Sequence, residues 1–254
     1  MTLQSLPAVV ARSVPTLGAV QMAEADRAAS EELGIPVAVL MENAARMIAA
    51  AARAFMDEVE GQVVSALVGV GNNGGDALAA LRHLLGWGAE VDAFVAAPPD
   101  RLRPLARAQY DILKKLGVPL YDTTALDDRF IVHRLRARHL VLDGLLGYSA
   151  RGAPRGEIAR LIGLAPELAP SPLLAVDLPS GLDPDTGAAP GGAIHAVATV
   201  TLALPKPGLL RPDARPYVGE LVLADIGIPA RAYAPLGIDA QTLFARGDLL
   251  RIIP

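Results

Sequence analysis

Three short stretches of the chain place oxygen-bearing side chains beside glycines. The first is Gly69-Val70-Gly71-Asn72-Asn73-Gly74-Gly75-Asp76. Glycine lets a ligand come close to the backbone and permits turns that other residues resist. The amides of such a turn, and of a helix that follows it, attract anions. Asparagine oxygens can accept from a ligand hydroxyl or coordinate a hard cation. The alternative is a tight turn in which Asn73 or Asp76 only caps a helix. The second stretch is Asp143-Gly144-Leu145-Leu146-Gly147-Tyr148-Ser149, and the third is Asp177-Leu178-Pro179-Ser180-Gly181-Leu182-Asp183. A carboxylate at the end of a buried strand is costly unless donors or a cation answer it. None of the four histidines falls in these stretches and none reads G-x-S-x-G, so a serine–histidine triad is not expected.

Asn73, Asp143 and Ser180 together supply an amide oxygen, a carboxylate and a hydroxyl. These are hard ligands, suited to an alkali or alkaline-earth ion and not to zinc, copper or iron. A single carboxylate sets a low charge demand, which suits a monovalent ion such as potassium. Arg151 and Arg155, just beyond the second stretch, could meet phosphates or stay solvated. Lys206, between two prolines, is expected as a surface charge or a salt-bridge partner, and His83 as a packed helix residue.

The elements that must carry these stretches are legible from apolar periodicity. Helices are expected over Gln21–Leu33 and from Val37 to about Phe55, where apolar residues recur at helical spacing. A buried strand over Val63–Val70 follows, then a helix from Ala77 to Leu85 and a strand over Glu90–Ala96. The alternation continues with a helix over Leu102–Leu116, a strand over Val118–Tyr121 and a helix near Asp127–Arg138. Then come a strand over His139–Leu142, a helix over Gly156–Leu164 and strands at Leu173–Asp177, Ala198–Leu204 and Glu220–Asp225. Strands alternating with helices imply βαβ units. The fold class expected is α/β, a Rossmann-like three-layer αβα sandwich with a mostly parallel central sheet. Residues 1–20 are expected as an N-terminal arm and residues 21–254 as one domain. In such sheets ligands bind beyond the carboxyl ends of the strands, and all three stretches fall there.

Composition narrows the function classes. The chain has 254 residues, 52% of them hydrophobic, with a formal charge of −4 and 4% aromatics. A mildly acidic, aromatic-poor chain is a poor nucleic-acid binder. There is no cysteine, which excludes disulfides, thiolate metal sites and cysteine nucleophiles and fits a cytoplasmic location. No signal peptide or membrane span is expected. The longest uncharged stretch, Thr186 to Pro205, is broken by Pro190, Gly191, Gly192 and His195.

The ordered motifs resemble those of NAD(P)H-hydrate epimerases, the YjeF N-terminal domain family. The resemblance runs from about Gln21 to Pro229. It rests on Leu40-Met41-Glu42-Asn43-Ala44-Ala45, the three stretches above, Asp185-Thr186-Gly187, Thr199-Val200-Thr201, Pro205-Lys206-Pro207-Gly208-Leu209-Leu210 and Ala224-Asp225-Ile226-Gly227-Ile228-Pro229. It implies epimerisation at C6 of hydrated NADH or NADPH, with a separate S-specific dehydratase completing the repair, and a homodimer. It also implies potassium on Asn73, Asp143 and Ser180. The dinucleotide would lie on Asn72, Asn73, Gly74, Gly75 and Asp76, on Gly147, Tyr148, Ser149, Ala150, Arg151, Gly152 and Ala153, and on Asp177. In many bacteria this domain is fused to the dehydratase, and only the epimerase half is expected here. Three positions depart from the family pattern: Ala77 and Ala45 stand where glycine is usual, and Gly147-Tyr148-Ser149 stands where Gly-Thr-Gly is frequent. Ala77 would add a methyl near the ligand or simply favour the helix, and Tyr148 would alter the fit of the nicotinamide or phosphate.

Protonating the C6 hydroxyl lets the ring nitrogen expel water, and water then returns to the other face. Asp177 is the expected acid and base. Three rivals are weighed against this. One is a non-catalytic nucleotide- or partner-binding module of the same fold. Another is a dehydrogenase, whose G-x-G-x-x-G spacing Gly69 to Gly74 fits, with Glu90 or Asp92 near the ribose-acid distance. The third is a small-molecule kinase, against which the absence of a P-loop Gly-Lys-Ser/Thr counts.

Overall fold

The computed structural model describes residues 2–254. Nine strands form a single sheet: β1 (Ala8–Val10), β2 (Val63–Val68), β3 (Glu90–Val95), β4 (Leu120–Asp122), β5 (Leu140–Gly144), β6 (Leu173–Val176), β7 (Ala198–Leu202), β8 (Glu220–Ala224) and β9 (Leu249–Ile253). Helices α1 (Ala19–Arg27), α2 (Val37–Met56), α3 (Asn72–Gly86), α4 (Pro104–Lys115), α5 (Asp128–Leu135), α6 (Gly156–Leu164), α7 (Arg215–Val218) and α8 (Ala230–Tyr233) accompany it. The strand order is β1-β9-β8-β7-β6-β5-β2-β3-β4. Every pairing is parallel except β8 with β9. This is the expected α/β sandwich.

The chain starts its core at β2, moves outward through β3 and β4, then returns to lay β5, β6, β7 and β8 on the other side. β2 and β5 are therefore neighbours at the point where the winding reverses, the place such sheets open a crevice. β2, β5, β6 and β7 are apolar runs because both faces of the sheet are covered. On one face, α2 packs on α3 through Leu40, Met41, Ala44, Ala45, Ile48 and Ala52, at helical spacing. The Ala45 methyl is fully buried there, so the departure from glycine is absorbed by helix packing.

Four differences from the sequence expectations have physical causes. α3 begins at Asn72 and not at Ala77. Two glycines lower helix propensity, but tertiary packing requires them. A Cβ at Gly74 would overlap the Gly69 carbonyl oxygen, and one at Gly75 would lie 2.7 Å from the Met41 Cε. α1 gives way after Arg27 to a π-helical turn over Ala28–Glu32. β5 extends through Gly144, which puts Asp143 inside the strand instead of after it. Residues 1–20, expected as an arm, contribute β1, which pairs with β9, and bury Leu3, Leu6, Val14 and Leu17. β1 is only three residues long, and its hydrogen bonds come from a segment about 240 residues away. Neither β1 nor β9 was expected.

Candidate functional site

A cavity of about 530 Å³ opens at the carboxyl ends of β2, β5, β6 and β7. The loop after β2 forms one wall. Gly71 caps α3, and a Cβ there would meet nothing within 4 Å; with Asn72 and Asn73 it brings the first turn of α3, and its N–H groups, to the cavity wall. Those N–H groups have no acceptor within the helix and suit an anion. Gly69 is needed for a different reason: a side chain would strike the backbone of Leu145, so the loops after β2 and β5 run against each other.

The loop after β5 is held from beneath by Asn73, Asp143 and Ser180. Asp143 is 0% exposed. Its Oδ1 accepts from the Ser180 hydroxyl at 2.6 Å and the Leu145 amide at 3.3 Å, and its Oδ2 accepts from the Ser180 amide at 2.8 Å. The Leu146 amide donates to the Ser180 hydroxyl at 2.9 Å, and Asn73 Nδ2 donates to the Leu146 carbonyl at 2.8 Å. Asn73, Asp143 and Ser180 thus converge on Leu145–Gly147 from α3, β5 and the loop after β6. Burial pushes the Asp143 carboxyl up to about 6, against the pull of the Ser180 and Leu145 donors. Among the described residues no side-chain cation pairs with it.

Asp177 follows β6 with φ at +69°, in the left-handed region that a non-glycine residue adopts only when its surroundings hold it there. The hold is visible. Its amide donates to the Val200 carbonyl at 2.8 Å. Its Oδ1 accepts from the ammonium of Lys206 in a short ion pair, and its Oδ2 accepts from the Tyr148 amide at 3.1 Å. Lys206 is 1% exposed and also donates to the Leu202 carbonyl at 3.0 Å. Of its two expected roles, the salt bridge is the one found; it is not a surface charge. The phenol of Tyr148 donates to Asp26 on α1, and its ring lies 5.7 Å from the Lys206 Nζ. Burial raises both the Tyr148 phenol and the Asp26 carboxyl, the latter against the Tyr148 hydrogen bond.

The expected substrate residues divide. Asn72, Asn73, Asp76, Gly147, Tyr148, Ser149, Ala150 and Asp177 line the cavity. Gly74 and Gly75 are not among the residues lining it, and a side chain at either would clash as described above. Arg151, Gly152 and Ala153 lie off the cavity wall: the Arg151 guanidinium folds back to donate to the carbonyls of Tyr148 and Ala150 at 2.8 and 2.9 Å, and Gly152 borders a separate, much smaller hollow with Asp183. The Ala77 methyl is buried against Gly144 and not near the cavity, so helix packing is the role it has. His83 contacts Glu42 and Trp87, as a packed helix residue does.

Asp26, Arg27 and Arg103 also line the cavity, and sequence reasoning did not place them there. Asp26 lay within reach: it follows Met22 by four residues, an acid on the edge of an apolar helix face. The dehydrogenase alternative loses its ribose acid. Asp92 is buried mid-strand, bonded to Ser65, Arg134 and Arg138, and Glu90 begins β3 at the opposite edge of the sheet.

A mostly parallel doubly wound sheet, a glycine-rich helix start and acids at the ends of β5 and β6 define a Rossmann-like protein with its cavity at the winding reversal, where such folds bind ligands. The match of residues 37–208 to the family described as YjeF-related protein N-terminus makes the chain a member of that family. It is 40% identical over 231 residues to the bifunctional NAD(P)H-hydrate repair enzyme Nnr of Moorella thermoacetica, covering 89% of this chain and 43% of that protein. It is 36% identical over 233 residues to the NAD(P)H-hydrate epimerase of Dehalogenimonas lykanthroporepellens, covering 91% and 90%. The chain therefore spans less than half of the bifunctional relatives. The crystal structure of yeast ynu0 shares the fold, with a TM-score of 0.78 at 22% identity over 94% of this chain and all of that one. Among the described residues no helix is long and apolar enough to cross a membrane.

Proposed function

We propose that the chain interconverts the R and S forms of hydrated NADH and NADPH at C6 of the nicotinamide ring, as an isomerase in nicotinamide-nucleotide repair. The observation that carries this is the buried Asp177–Lys206 pair at the floor of a cavity whose wall is the first turn of α3. The helix start suits the pyrophosphate. The apolar wall of Met22, Leu40, Met41 and Ile226 suits a flat ring. Asp177, fixed by Lys206 and the Tyr148 amide, exchanges protons with the C6 oxygen, and its carboxylate stabilises the cationic ring left when water departs.

Asn73, Asp143 and Ser180 fit a potassium ion. The carboxylate is buried without a cationic partner, Asn73 and Ser180 each carry a neutral oxygen, and all three side chains meet at one loop, Asn73 through its Nδ2. The ion would supply a fixed positive charge that braces the loop after β5. The chain's own residues do the chemistry. Action as a homodimer in the cytoplasm, with a separate S-specific dehydratase consuming the product, belongs to the same reading. It is supported by the family resemblance and the cysteine-free sequence.

The test is R-to-S conversion of hydrated NADH followed through an added S-specific dehydratase. Complete consumption of an R-enriched sample only when this protein is present supports the reading, and unchanged R substrate overturns it.

A further inference from the structure

Asp76 faces the cavity from α3 at 8% exposure. Among the described residues, no hydrogen bond or ion pair reaches its carboxyl. Three carboxyls, Asp26, Asp76 and Asp177, share the cavity with Lys206, which is committed to Asp177 and the Leu202 carbonyl. Asp26 is committed to the Tyr148 phenol. Arg27 and Arg103 also line the wall, and Arg27 is bonded to Glu24 and Glu32. A buried carboxyl with no donor and no cation holds its proton. Burial, then the charges of Asp177 and Asp26, push Asp76 well above the ordinary carboxylate range, with Lys206 opposing.

Inversion at C6 makes two demands on different faces of the ring. A proton must reach the departing hydroxyl on one face, and another must leave the water that adds to the other. Two carboxyls in one cavity can divide these demands between them. Asp76 and Asp177 come to the cavity from different crossovers, α3 and the end of β6, and only Asp177 has a cation to hold its charge.

We infer that Asp76 is a second catalytic carboxyl: in neutral form it protonates the departing C6 hydroxyl, while Asp177 accepts the proton of the water that adds to the opposite face. The inference rests on the epimerase reading. The C6–O bond breaks with its electrons leaving on water, and the nitrogen lone pair forms the C=N bond. Addition of water restores the lone pair and a C6–O bond of opposite configuration. Nothing is oxidised or reduced. One proton passes from Asp76 to Asp177 per turnover and returns through solvent, and in the S-to-R direction the two carboxyls exchange tasks.

The experiment compares wild type with Asp76→Asn and Asp76→Glu. The amide is uncharged, as the acid it replaces, so Asp76→Asn keeps KM within about threefold while kcat falls by roughly 10²–10⁴. Asp76→Glu restores part of kcat and moves the alkaline limb of the pH–rate profile, a shift that a merely structural role would not produce. Asp76→Ser is the second variant should the amide fail to fold. The infrared difference between wild type and either variant at neutral pH is expected to contain the carbonyl stretch of one neutral carboxylic acid. Wild-type kcat in Asp76→Asn, an unmoved alkaline limb in Asp76→Glu, or no acid band in the difference spectrum overturns the inference while epimerase activity stands. A wild-type protein with no epimerase activity overturns the epimerase reading itself, and the role of Asp76 falls with it.

Discussion

The hydroxyl of Tyr148 donates to the carboxylate of Asp26 across 2.5 Å, tying the loop after β5 to α1 over a sequence distance of 122 residues. Helix α1 and its π-helical continuation form the outer lip of the cavity, and this bond is what fastens the lip beside Asp177. Tyr148→Phe keeps the ring and removes the donor. A hydrogen bond to a charged group contributes about 1.5–3 kcal/mol, so the variant is expected to lose stability of that order in denaturant unfolding. Amide exchange should accelerate in α1 before the rest of the fold. Unchanged α1 protection would show that the lip is held by packing alone.

The Asp177–Lys206 pair predicts non-additivity. Lys206→Met leaves a buried carboxylate without its cation, which costs about 3–5 kcal/mol when one partner of a buried pair is removed. Adding Asp177→Asn removes the orphaned charge, so the double variant is expected to be more stable than Lys206→Met alone. A double-mutant cycle by urea unfolding measures the coupling.

Stability should also depend on pH through Asp76. A carboxyl raised in the folded state binds its proton more tightly there than in the unfolded chain. Its contribution is therefore fully present below the unfolded value and is lost as pH rises through the folded one. Asp76→Asn removes that loss. The variant should gain on wild type as pH rises through and above the ordinary carboxylate range, read as the difference in Tm. A constant difference across that range would mean that Asp76 does not carry its proton in the fold.

Potassium should act by mass action on the folded state. Thermal unfolding in potassium chloride is expected at higher temperature than in choline chloride at equal ionic strength. Asp143→Asn and Ser180→Ala should abolish the difference. A potassium effect that survives both changes would place the ion elsewhere.

Two glycines in one loop should respond oppositely to a methyl. Gly71 has open space around its would-be Cβ, whereas Gly74 meets the Gly69 backbone. Gly71→Ala is expected to fold with near-wild-type Tm and to weaken substrate binding, because the methyl enters the cavity. Gly74→Ala is expected to cost 1–3 kcal/mol or more through overpacking, as estimated for crowded cores.

The parallel core and the strand ends that border the cavity followed from the sequence alone. Apolar runs at β2, β5, β6 and β7 alternate with amphipathic helices, and both periodicities are local properties of the chain. The same local signal placed Asn73, Asp143, Asp177 and Ser180 at or just beyond the carboxyl ends of β2, β5 and β6, because a polar residue near the close of an apolar run is visible without knowing its partners. What the tertiary structure decided was which polar groups answer one another. Lys206 reads as a surface cation or a salt-bridge partner of unknown identity until the loop after β7 folds it beneath Asp177, and Asp26 lines the cavity only because α1 borders it. Gly74 and Gly75 read as ligand contacts in sequence, and only the approach of Gly69 and Met41 reveals what a side chain there would strike. β1 was invisible for the same reason: three residues become a strand only when a partner more than two hundred residues away supplies the hydrogen bonds.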